Sequence, residues 1–85
     1  MISKLNKKAK KIEDGLRLLG FSPLKYTPAS KYHDASILMT EQIQIQIGVD
    51  YTVIVREELN GGISFFETQN TIKSIIESLK KAANK

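Results

Sequence analysis

Hydrophobic residues recur along this chain with two different periods. Leu5, Ala9, Ile12, Leu16 and Leu19 follow one another at spacings of three and four. That spacing places them on one face and predicts an amphipathic helix over residues 3–19. Ser3 stands where an N-cap is expected, and Gly20 where a left-handed C-cap residue is expected. Gly15 falls inside the helix, where glycine costs roughly 1 kcal/mol relative to alanine. Either a close contact with a sheet or simple tolerance accounts for it.

Residues 21–35 break both periods. Pro23 and Pro28 exclude regular helix, and Ser, Thr, Asp and Lys dominate the remainder. Fifteen irregular residues is long for a small domain, so the segment is either functional or hides a short extended piece. Residues 42–47 then alternate strictly as Gln42, Ile43, Gln44, Ile45, Gln46, Ile47. This predicts a strand with isoleucines inward and glutamines outward. Ile37 and Met39 keep the same parity, so the strand is extended back to Ser36. Gly48-Val49-Asp50 reads as a turn, and residues 51–58 as a second strand with Tyr51, Val53 and Val55 on one face. Asn60-Gly61-Gly62 marks a hairpin into a third strand over residues 63–68. A two-residue Asn-Gly turn sends Phe66 to the core face. A three-residue loop with Gly62 left-handed sends Ile63 and Phe65 there, and is preferred because it buries two large side chains. Ile72, Ile75, Ile76, Leu79, Ala82 and Ala83 form the stripe of a closing helix over residues 70–83, capped by Asn70 or Thr71.

The expected fold is a single α+β domain spanning residues 1–85. It has two layers, a helix, a three-stranded antiparallel sheet and a helix, with both helices on one face of the sheet. This order resembles, in topology and over most of the chain, the double-stranded-RNA-binding domain family. Between its first two strands that family carries a Gly-Pro-x-His loop, where this chain has Gly48-Val49-Asp50. At the start of its last helix it carries a lysine cluster, where this chain has Asn70-Thr71-Ile72-Lys73. The resemblance implies contact with duplex RNA as one expectation.

Composition narrows the classes. With 41% hydrophobic and 26% charged residues and no cysteine, the chain is expected to fold on an ordinary apolar core, without disulfides or thiolate metal sites. No apolar run reaches the roughly 18 residues a membrane helix needs, and none follows the basic amino end as a signal peptide requires. A cytoplasmic location without membrane contact is the expectation.

The formal charge of +4 is unevenly divided. Residues 1–33 carry +6, residues 34–67 carry −5, and residues 68–85 carry +3. Lys4, Lys7, Lys8, Lys10 and Lys11 lie within two helical turns, and Lys80, Lys81 and Lys85 end the chain. Lys4, Lys7, Lys8 and Lys11 are the candidates for phosphate contact with nucleic acid, which would need no base readout. The competing reading is a solvated helix face, favoured here because Arg17 and Arg56 are the only arginines. The late lysines also suit the negative end of their own helix. The outer sheet face is expected to carry Gln42, Gln44, Gln46, Thr52 and Arg56 with acidic residues at its rim. That is no platform for single-stranded nucleic acid, but it suits protein contact or strand pairing between copies.

Candidate chemistry is sparse. His33 is the only histidine, and Asp34 follows it in the irregular segment. One histidine with scattered carboxylates makes neither a nucleophilic triad nor a transition-metal site. If Ile47 pairs with Tyr51, Glu41 falls opposite Glu57, an unfavourable like-charge pair unless it shares a proton or meets a basic partner. Tyr26, Tyr32 and Phe21 surround the prolines and either cap the core or centre a binding surface. No catalytic residue, metal, cofactor or small-molecule substrate is expected. The expectation is a non-enzymatic binding module with a protein partner, or a second copy of itself, contacting Tyr26, Tyr32, Gln42, Gln44 and Gln46. Small lysine- and isoleucine-rich accessory proteins of phages and mobile elements, inhibitors among them, share this character. Nucleic-acid binding through the first helix is the alternative.

Overall fold

The computed structural model describes residues 2–84. Helix α1 (Ile2–Leu18) leads into five strands, β1 (Lys25–Thr27), β2 (Ala35–Leu38), β3 (Ile43–Ile47), β4 (Thr52–Glu57) and β5 (Ile63–Glu67), and helix α2 (Ile72–Ala83) closes the order. The strands form one antiparallel sheet in chain order, β1-β2-β3-β4-β5. The α+β class stands, but the sheet has five strands where three were expected. The departure also removes the topological likeness to the double-stranded-RNA-binding domain.

Each helix owes its ends to local chemistry. The N–H of Phe21 donates to Leu16 C=O at 3.0 Å and that of Gly20 to Arg17 C=O at 3.1 Å. With Gly20 at φ +94, this closes α1 as a Schellman cap, and Phe21 packs on the core. Ser3 lies within α1, which begins at Ile2, so it is not the N-cap. At α2, Thr71 is the cap and its hydroxyl accepts from Ser74 N–H at 3.1 Å. Leu5, Ala9, Ile12 and Leu16 are buried as expected, but Leu19 lies past the helix end and is 59% exposed. Ala83 is likewise exposed, while Ile75, Leu79 and Ala82 are buried. Gly15 admits α2 rather than the sheet: a Cβ there would stand 2.9 Å from Cδ1 of Ile72.

Two of the strands were concealed. The irregular segment hides β1, where Tyr26 pairs with Ile37. Residues 36–47 are two strands, not one, because Met39–Gln42 turns the chain back. The Thr40 hydroxyl accepts from the N–H groups of Gln42 and Ile43, both at 3.1 Å. A turn of four residues leaves parity unchanged, so Ile37 and Ile45 pair on the same face as a single strand would have them.

The register of β4 is the second correction. Ile47 pairs with Thr52, Ile45 with Ile54 and Ile43 with Arg56. Thr52, Ile54 and Arg56 therefore face inward, and Val53 and Val55 face outward, the reverse of the expectation. The cause is Tyr51, which belongs to the turn rather than the strand. Gly48 N–H donates to Tyr51 C=O at 3.0 Å, making a four-residue loop. The Tyr51 ring lies so close over Gly48 that a Cβ there would sit 1.9 Å from Cε1. The inward polar residues are satisfied at the ends of the strand: Thr52 donates its hydroxyl to Asn70, and the Arg56 guanidinium donates to the Ala82 carbonyl near the end of α2.

The last hairpin follows the same inversion. Its loop is Leu59-Asn60-Gly61, closed by Glu58 N–H donating to Gly62 C=O at 2.8 Å, with Gly61 at φ +89 in place of Gly62. Phe66 pairs with Ile54 and turns toward the core, while Phe65 pairs with Val55 and turns outward. Both helices cover the inner face, α1 against β2 and α2 against β4 and β5. One cluster joins Leu5, Ala9, Ile12 and Leu16 to Ile37, Ile43, Ile45, Ile47, Ile54, Ile75 and Leu79. Each fully buried isoleucine contributes about 1.5–3 kcal/mol relative to exposure.

The tight Gly48–Tyr51 contact has a measurable consequence. Gly48→Ala should lower unfolding stability by about 1–3 kcal/mol, as overpacking does. In the Tyr51→Ala background the same substitution should cost far less, because the obstructing ring is gone. Urea unfolding of the four proteins in this cycle measures both terms.

Candidate functional site

The inverted register builds an outer sheet face with a different character from a glutamine platform. Leu38, Gln44, Gln46, Val53, Val55, Ile63 and Phe65 all lie on it. Phe65 is 65% exposed and Ile63 is 57% exposed, whereas Val55 beside Phe65 is buried. A shallow concavity runs between Leu38, Gln44, Val55, Ile63 and Phe65, with Glu41 and Glu57 at its rim. Glu67 stands on the same face across from Val53. The surface is thus an apolar strip along β4 and β5, bounded by glutamines on one side and carboxylates at its ends. Exposed apolar groups clustered in this way, within a polar rim, are the usual composition of a protein contact.

The expected binding residues divide. Gln44 and Gln46 lie on this face, and Gln42 lines the concavity from the adjoining turn. Tyr26 is on the inner face, packed against the core, with its hydroxyl 3.4 Å from Asn6 Oδ1 and Lys10 Nζ 5.9 Å from its ring centre. Tyr32 stands exposed away from the sheet, on a turn closed by Ser30 N–H donating to His33 C=O at 2.9 Å, with Lys31 Nζ 5.1 Å from its ring centre. Glu41 does not oppose Glu57. Gln42 does, accepting at its carbonyl from Glu57 N–H at 2.8 Å. Phe65, Ile63, Val53 and Val55 escaped the sequence reading because residues 52–56 carry apolar side chains on both faces.

The lysines of α1 also divide. Lys4, Lys7 and Lys11 are exposed, at spacings of three and four along one stripe. Lys8 is committed to the fold: its ammonium donates to the carbonyls of Gly48 at 2.8 Å, Val49 at 3.4 Å and Tyr51 at 3.2 Å. Partial burial pushes this ammonium below the usual lysine range, against the opposing charge of Asp50. Lys10 and Arg17 flank Glu13, at 2.7 and 3.2 Å. Glu13 is only 4% exposed. The Lys10 hydrogen bond holds its carboxyl below the usual range, outweighing burial, with Arg17 adding to the effect. Lys80 and Lys81 lie in the last turn of α2, and Lys85 falls outside the described residues.

His33 is exposed, with Nδ1 3.1 Å from the Asp34 carbonyl oxygen, while the Asp34 carboxylate accepts from the Tyr51 hydroxyl. Among the described residues no three His, Asp or Glu side chains converge on a point that could hold a metal ion, and no helix is long and apolar enough to cross a membrane. No protein-family model, curated protein or solved structure matches the chain.

The Tyr51–Asp34 hydrogen bond, with burial and the nearby carboxylate charges adding to it, raises the Tyr51 phenol from 10.0 to about 12. Between those values the folded chain holds a proton that the unfolded chain has released. This contribution is complete below pH 10 and is lost as pH rises through 12. The stability of the wild-type chain relative to Tyr51→Phe should accordingly be constant below about pH 10 and fall as pH rises through about 12. Denaturant titrations across that range, with tyrosinate absorbance to follow the ionisation, check it.

Proposed function

We propose that the chain is a non-enzymatic protein-binding module whose contact surface is the outer sheet face along β4 and β5. The observation that carries this reading is the outward pair Phe65 and Ile63, left largely exposed beside Val53 and Val55 on a strand that could have buried them. The buried centre of a protein contact is apolar and enriched in aromatic residues such as Phe, with a polar rim around it. The rim of Glu41, Glu57 and Glu67 makes the same face repel a phosphate backbone and favour a partner that is apolar at its centre and neutral or basic at its edge.

A second reading rests on the exposed stripe Lys4, Lys7 and Lys11, opposite in character to the sheet. It is the weaker of the two, because Lys8 is spent on the β3–β4 turn and Lys10 and Arg17 on Glu13. Any duplex contact there would be carried by three lysines and would weaken steeply with salt.

The two surfaces are separable by site-directed photocrosslinking. A photoreactive amino acid at position 65 should yield adducts with protein, and the same group at position 7 should yield none. Nucleic-acid adducts from position 7, with binding that declines as salt rises and disappears on joint replacement of Lys4, Lys7 and Lys11 by Gln, would overturn the protein-contact reading in favour of the second.

A further inference from the structure

The two edges of the sheet are not alike. Strand β1 is three residues long, begins with Lys25 and is bracketed by Pro23 and Pro28. Short length, lysine and proline are the devices by which edge strands are kept from pairing with other chains. Strand β5, Ile63-Ser64-Phe65-Phe66-Glu67, has no lysine, proline, glycine or bulge, and every residue pairs in sequence with β4.

Its backbone parity is defined at both ends. Glu58 N–H donates to Gly62 C=O, and Thr68 N–H donates to Thr52 C=O. Hydrogen-bonded pairs recur every second residue in an antiparallel ladder, so Ser64 and Phe66 also bond toward β4. Ile63, Phe65 and Glu67 direct their N–H and C=O groups to the open edge. The Glu67 carbonyl already accepts from the Ser78 hydroxyl of α2 at 3.1 Å, which leaves Ile63 and Phe65 as the open segment. The two residues with the exposed apolar side chains are thus the two with outward backbone groups.

We infer that β5 pairs antiparallel with β5 of a second copy of this chain, across a two-fold axis at Ser64, making one continuous ten-stranded sheet. This rests on the protein-contact reading above and places the partner, a second copy, at the β5 edge of that surface, where Ile63 and Phe65 meet across the seam. In this register Ile63 of each copy exchanges two backbone hydrogen bonds with Phe65 of the other, four in all. Each is worth about 0.5–1.5 kcal/mol net. Ile63 and Phe65 side chains meet on the outer face, a favourable cross-strand pair, and extend the apolar strip through Val55 of both copies. Glu67 falls opposite Gly61 of the other copy, so no carboxylate opposes another. Shifting the axis to Phe65 would set Ile63 against Glu67 and require the carbonyl that Ser78 occupies, which selects the Ser64-centred register. The strand is complementary to itself in this register, and the protected β1 edge ends the sheet, so association closes at two copies rather than growing into a fibre.

The test is the molar mass of the full chain by sedimentation or light scattering across the micromolar range, with amide exchange at Ile63 and Phe65 followed in parallel. The expected result is a mass that rises to twice that of the chain while those two amides slow. Ile63→Pro removes an outward N–H together with the Ile63 side chain, and Phe65→Lys places a charge on the open strand; both should stay at the single-chain mass with unchanged circular dichroism. A wild-type chain that stays at single mass overturns the pairing. In that outcome, protein adducts from position 65 would still uphold the contact face, whereas their absence would remove both. A doubled mass without slowing of the two amides, or a dimer that survives Ile63→Pro, would place the copies face to face and overturn edge pairing.

Discussion

The surface of this protein depends on one tertiary contact, the Lys8 ammonium seated on the carbonyls of Gly48, Val49 and Tyr51. In the turn that offers these three carbonyls to one cation, Tyr51 stands outside the following strand. The aromatic ring then covers Gly48, and its hydroxyl reaches the Asp34 carboxylate. Strand β4 begins one residue later than its alternation suggests, and every side chain from Thr52 to Glu57 changes face. Because β5 takes its register from β4, the exposure of Phe65 and the burial of Phe66 trace back to the same turn.

Partial burial disfavours the charge on the Lys8 ammonium, which sets a desolvation cost against its contacts with the turn. The return is a defined register in a strand whose own pattern does not specify one. Val53, Ile54 and Val55 are apolar in succession, so either face could have gone inward. The inward choice is completed by polar ends that find partners on α2 and its approach. Thr52 meets Asn70, and Arg56 meets the Ala82 carbonyl, where a cation also complements the helix dipole. Apolar surface is thereby left outside, on the edge strand that lacks the protections of β1.

Much of the fold was legible where the signal is local. The stripes of α1 and α2 apart from Leu19 and Ala83, the Gly20 cap, the cap at Thr71 (one of the two residues expected) and the alternation of residues 43–47 depend on near neighbours in the chain, and these appear in the structure. What was misread depends on loop length. A four-residue turn at Met39–Gln42 preserves parity and is invisible to an alternation test, though the Thr40-Glu41 pair and the unusual length of the run were signals for it. The β3–β4 turn required knowledge of Lys8, forty residues away in the chain. The candidate surface inherited that error. Gln44 and Gln46 lie on the outer face as their alternation predicts, but the apolar residues beside them read from the sequence as core.

The register of β4 is therefore the claim on which the contact surface stands, and cross-strand proton contacts test it directly. In the structure the pairs Ile45–Ile54 and Ile47–Thr52 lie between the hydrogen-bonded pairs, where opposing Hα atoms approach most closely. The account requires strong Hα–Hα nuclear Overhauser effects between Ile45 and Ile54 and between Ile47 and Thr52. Such effects between Ile45 and Val53 and between Ile47 and Tyr51 would contradict it, returning Val53 and Val55 to the core.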